Sequence, residues 1–66
     1  MKIRISYLYE DGVIIFGQGA SRAIAESNAT RAEYLAERNP ADRITVSTSM
    51  TDDPSTVPFG VRRAGH

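Results

Sequence analysis

Residues able to do covalent chemistry are scarce in this 66-residue chain. It has no cysteine, which excludes disulfides and thiolate zinc sites, and its one histidine is His66. A histidine-based metal site within one copy is therefore not expected. The acid pairs Glu10-Asp11 and Asp52-Asp53 lie in turn-like stretches, where carboxylates serve solubility rather than acid–base catalysis. A chain this short also has little room for a closed pocket. It reads as a non-enzyme without cofactor or metal.

Binding chemistry has more candidates. Gly17-Gln18-Gly19 precedes a helical stretch, and helix N-termini attract anions. The dinucleotide fingerprint is broken, however, because Arg22 stands where its third glycine belongs. Lys2, Arg4, Arg43, Arg62 and Arg63 would make a phosphate-binding patch only if the C-terminal tail folded back beside them. Eight basic residues balance eight acidic ones, which argues against a purely electrostatic nucleic-acid binder. Tyr34, between Arg31 and Arg38 on the outer side of the helix, is a candidate hot spot for a protein partner.

Periodicity supplies the elements that must position these residues. Residues 2–9 alternate, with Ile3, Ile5, Tyr7 and Tyr9 on one face and Lys2, Arg4, Ser6 and Leu8 on the other, as in a strand. Tyr7 and Tyr9 are expected at the rim of the core, with their hydroxyls in water. Glu10-Asp11-Gly12 reads as a hairpin loop, either three residues with a left-handed Gly12 or a two-residue Asp11-Gly12 turn. The return strand contains Val13-Ile14-Ile15-Phe16, apolar on both faces, so either Val13 and Ile15 or Ile14 and Phe16 face the core.

A helix is expected from Ser21, its N-cap, to Asn39, where Pro40 stops it. Ser21, Ile24, Ala25, Asn28, Ala29, Ala32, Leu35 and Ala36 form its packed side; Arg22, Glu26, Thr30, Glu33 and Glu37 form its outer side. Asn28 is expected to hydrogen-bond nearby backbone. Residues 43–50 alternate again as a third strand, with Ile44 and Val46 toward the core.

The expected fold is α+β: a single small ββαβ domain over residues 1–50, with a three-stranded antiparallel/mixed sheet in the order 2-1-3. One alanine-rich helix packs on one face, and a right-handed crossover carries it to the third strand. Residues 51–66 read as a polar linker and an extended or flexible tail.

The open face of that sheet is expected to carry Arg4, Ser6, Leu8, Arg43, Thr45 and Ser47. Either it binds a partner, or Val57 and Phe59 of the tail plug it; Arg62 and Arg63 belong to the same tail. Strands two and three are both expected to be sheet edges open to pairing. A domain of this size buries little apolar surface, which favours a homodimer or a protein partner.

No apolar h-region follows Met1, and no apolar run approaches the roughly eighteen residues of a membrane span, so cytoplasmic residence is expected. The leading functional expectation is a small protein-binding regulatory module, of the kind that phage- or mobile-element-encoded inhibitors of host machinery represent. The alternatives are a nucleic-acid-binding module that uses the open sheet face and a structural subunit of an oligomer.

Overall fold

A computed structural model describes residues 1–52, 54 and 56–64; Asp53 of the second acid pair and His66 lie outside the described residues. The chain forms strand β1 (Lys2–Tyr9), strand β2 (Val13–Gly19), helix α1 (Arg22–Leu35), a 3-10 turn (Pro40–Asp42), strand β3 (Arg43–Thr51) and strand β4 (Phe59–Arg63). The sheet has four strands, not three, in the order β3-β1-β2-β4, and every neighbouring pair is antiparallel. Strand β2 is therefore interior rather than an edge. Its run of apolar residues on both faces fits that position.

The hairpin takes the three-residue form. Gly12 N–H donates to the Tyr9 carbonyl at 3.0 Å, and Gly12 has φ +84, a conformation glycine adopts without strain. This sets the register of β2. Val13 and Ile15 face the helix with Ile5, Tyr7 and Tyr9, and all five are buried. Ile14 and Phe16 face the other way, and the open sheet side is theirs.

The alanines draw α1 down onto β2. Ala25, Ala29 and Ala32 are buried against the sheet, and Gly17 lies beneath them. A Cβ placed on Gly17 would stand 2.1 Å from the backbone nitrogen of Ala29 and 2.5 Å from the carbonyl oxygen of Ala25. Helix and strand backbones are thus in direct contact there. Asn28 supports the approach by donating to the Gln18 carbonyl at 2.9 Å.

This placement corrects the expected core. The helix sits over β2 and β1 and leaves the helix-side surface of β3 uncovered, so Ile44 and Val46 are 60% and 56% exposed. Ile24 and Leu35, expected on the packed side, are also exposed. Tyr7 and Tyr9 are buried outright rather than at a wet rim.

The helix also ends earlier than Asn39. Ser21 caps its start, its Oγ accepting from Ile24 N–H at 3.3 Å. At the other end Glu37 takes a left-handed φ of 58. Its N–H reaches the Tyr34 carbonyl and that of Arg38 reaches the Glu33 carbonyl, each at 3.0 Å, the two bonds of a Schellman turn. Asn39 instead caps the 3-10 turn, accepting from Ala41 N–H at 2.9 Å.

Residues 59–63 were expected in the tail but complete the sheet. Gln18, only 3% exposed, fastens the approach to β4. Its side-chain amide donates to the Val57 carbonyl and its backbone N–H to the Pro58 carbonyl, each at 2.8 Å. Two cross-strand pairs then match a phenylalanine to a glycine on opposite faces: Phe16 with Gly60 on the open side, and Phe59 with Gly17 on the helix side.

Two substitutions test this packing by urea denaturation. Gly17→Ala is expected to lower stability by about 3 kcal/mol, because the added methyl meets backbone that cannot give way. Glu37→Gly relieves a left-handed non-glycine residue and is expected to raise stability by about 0.5–1 kcal/mol.

Candidate functional site

Two polar assemblies stand out, and their burial separates their roles. The first lies between α1 and the sheet. Glu33, expected on the outer helix side, is 1% exposed. Its Oε2 accepts from the Tyr9 hydroxyl and, at 2.7 Å, from Arg43 Nε; its Oε1 accepts from Arg43 Nη2 at 2.6 Å. Arg43 also lies over the Tyr7 ring, 3.7 Å from the centroid. Beside this group Arg38 forms a two-pronged pair with Asp11, at 2.8 and 3.2 Å, and covers the Tyr9 ring.

Burial tends to raise the Glu33 pKa, but the hydrogen bonds from Arg43 and Tyr9 outweigh it and hold the carboxyl below its usual range. Burial, followed by the Glu33 carboxylate, pushes the Tyr9 phenol well above its ordinary value. Both oxygens of Glu33 are engaged within the chain, so the assembly fastens the helix to β1 and β3.

Arg43 reaches Glu33 because of a bulge. The β1–β3 register is regular up to Leu8 opposite Thr45, then shifts so that Tyr9 stands opposite Arg43. Ile44 is the extra residue. The strict alternation that would put Arg43 on the open face fails at that point, and its side chain turns to the helix side.

The second assembly is a shallow depression of about 190 Å³ on the open face, lined by Arg4, Ser6, Ile14, Phe16, Ser47 and Arg62. All four strands contribute to it. This volume is below the roughly 300 Å³ at which drug-sized pockets begin, so it suits one planar or compact group of a larger ligand.

Phe16 is its centre. The guanidinium carbons of Arg4 and Arg62 lie 4.7 and 5.3 Å from the ring centroid. Arg4 is oriented by Gln18, whose Oε1 accepts from its Nε at 3.1 Å and its Nη2 at 2.9 Å. Gly60 sits opposite Phe16 with its Cα hydrogen where a Cβ would come within 2.8 Å of the ring. The tip of the ring therefore lies over Gly60 of β4.

Charge is sorted between the layers. No aspartate or glutamate falls within the bounds of any strand, whereas Lys2, Arg4, Arg43, Arg62 and Arg63 do. The acidic residues occupy the helix, the turns and the segment after β3. Overall neutrality thus conceals an open face with arginines, hydroxyls and no carboxylate among its described strand residues.

Of the residues singled out from sequence, the open face brings together Arg4, Ser6, Leu8, Thr45, Ser47 and Arg62. Arg43 and Phe59 stand on the helix side, where Phe59 packs against the core and cannot plug the open face. Arg63 pairs with Val13 and shares its side of the sheet. Tyr34 is 81% exposed on the outer helix, while Arg38 is turned away to Asp11 and Tyr9. Ile14, Phe16 and Gln18 were not singled out, since their importance depends on the register of β2.

Among the described residues no cluster of three His, Cys, Asp or Glu side chains is placed to hold a metal, and no helix is long and apolar enough to cross a membrane. Comparison with known proteins finds no matching family model, no matching curated protein and no matching solved structure.

The Glu33 assembly makes stability pH-dependent at both ends. The folded state holds the Glu33 proton more weakly than the unfolded chain, so its contribution is intact above the ordinary value of 4.5 and lost as pH falls below it. Tyr9 acts in the opposite sense: its contribution holds below 10.0 and declines as pH rises beyond it. Glu33→Gln is expected to cost about 3 kcal/mol at pH 7, at the low end for a broken buried pair because the Arg43 side chain is 25% exposed. Thermal melts across pH should show a shallower acid limb in this variant.

Proposed function

We propose that the open sheet face binds single-stranded nucleic acid, with Phe16 as the stacking platform and arginines as phosphate contacts. The observation that carries this reading is the Phe16 ring, which lines the depression within reach of the Arg4 and Arg62 guanidiniums. Aromatic rings on an open groove accept bases of any sequence, and arginine adds phosphate attraction and stacking. Arg4 is anchored through Gln18, whereas Arg62 is exposed and can turn from ring to phosphate as a base arrives. Ser6 and Ser47 supply hydroxyls beside the ring.

The sorting of charge supports this reading despite the net charge of zero, because an anionic strand approaching the sheet meets its basic side. Duplex DNA is a poorer match, since its bases are stacked and closed to the ring. A cytoplasmic location suits such a ligand.

The protein-binding regulatory reading is second. Tyr34 on the outer helix favours it, as an exposed aromatic away from the sheet.

Fluorescence anisotropy with a labelled single-stranded oligonucleotide tests the proposal. Binding is expected at low salt and should weaken as salt rises, with a logarithmic slope of about 0.7 per phosphate contact. Arg62→Ala should flatten that slope by about one contact. Phe16→Leu, which keeps an apolar residue over Gly60, should weaken binding about tenfold through lost stacking. No binding at low salt, or binding indifferent to both substitutions, would remove this reading and leave the protein-binding one.

A further inference from the structure

Among the described residues strand β3 has one neighbouring strand, β1, and no strand lies beside its other edge from Arg43 to Met50. Natural edges of this length are usually interrupted by proline, glycine or mid-strand charge. Here Arg43 at the first position is the only charged residue, and it is drawn inward by Glu33. The helix leaves β3 bare, and β4 joins β2 at the opposite edge of the sheet. Ile44, Val46 and Met50 are consequently 60%, 56% and 66% exposed, all on the strand least covered by its own chain.

The strand is also self-complementary. Reflected about its midpoint, Ser47, the sequence places Ile44 opposite Met50, Thr45 opposite Ser49 and Val46 opposite Thr48. Arg43, turned to the helix side beyond the bulge, is not brought opposite its own copy. Ile44 meets apolar Met50, Thr45 meets another hydroxyl in Ser49, β-branched Val46 meets β-branched Thr48, and no like charges face each other. A shift of two residues either way leaves strand ends unpaired.

We infer that β3 pairs antiparallel with β3 of a second copy, about a twofold axis through Ser47, joining two four-stranded sheets into one. Such an interface is isologous, each contact occurring twice. It adds backbone hydrogen bonds and two Ile44–Met50 contacts to a domain too small to bury much apolar surface alone. Opposed residues of an antiparallel pair point to the same face, so both helices lie on one side and both Phe16 platforms on the other. The pairing stands independently of what the open face binds.

Because the chain has no cysteine, single-cysteine variants read the register directly. Ser47→Cys should form a disulfide-linked dimer under mild oxidation, since residues directly opposed in an antiparallel pair lie within disulfide reach. Thr45→Cys should not, because its own copy is displaced by four positions along the strand. Light scattering should show the unmodified protein as a dimer, and Val46→Lys, at an exposed position, as a monomer with an unchanged circular dichroism spectrum. A monomer at all concentrations, equal cross-linking at 45 and 47, or a dimer with no cross-link at 47 would overturn the inference. Oligonucleotide binding by a monomeric wild type would overturn the pairing while leaving the open-face reading intact.

Discussion

At residue 17 helix and strand come so near that no side chain fits between them. That contact fixes where α1 lies, and much of the molecule follows from its position. Seated over β2 and β1, the helix buries its alanines against the strand that needs cover on both faces. The same seat takes it away from β3, whose helix-side residues remain in water. A larger residue at 17 or 29 would lift the helix and change which strand it covers. The glycine therefore decides the layout of the helix side through the space it leaves.

The second constraint operates at the other end of the helix. A carboxylate taken out of water needs partners for both oxygens, and Glu33 has them in Tyr9 and Arg43. The bulge after Leu8 supplies the geometry by turning Arg43 toward the helix. The Schellman turn at Glu37 then brings Arg38 back over Tyr9 and onto Asp11 of the hairpin loop. Helix terminus, loop and strand start are tied together by charged and aromatic groups, where a larger protein would use aliphatic packing.

Local pattern revealed the hairpin, the helix with its Ser21 cap, the alternating third strand and the central position of β1. It revealed less where a distant contact overrides the local period. Glu33 falls on the outer side of the helical wheel, and only the presence of Arg43 and Tyr9 across the layer explains its burial. Arg43 follows the alternation of its strand until the bulge breaks it. Phe59-Gly60-Val61 has strand periodicity, but the short run after a proline-containing segment reads as tail until Gln18 is seen to hold residues 57 and 58. The depression around Phe16 was half legible. Arg4, Ser6 and Ser47 were placed together by alternation, while the ring at its centre depended on a register that the apolar run Val13–Phe16 leaves open.

The glycine beneath the Phe16 ring carries an implication for the order of events in synthesis. The hairpin, helix and β3 precede residue 60 in the chain and contain most of the buried core. The ring has no floor until β4 arrives beside β2. A nascent chain can thus hold its helix against the sheet while the platform on the opposite face is still unfinished. If the open face binds as proposed, recognition would begin only after the last described strand has been made, so a growing chain would be kept from engaging a ligand until β4 is in place.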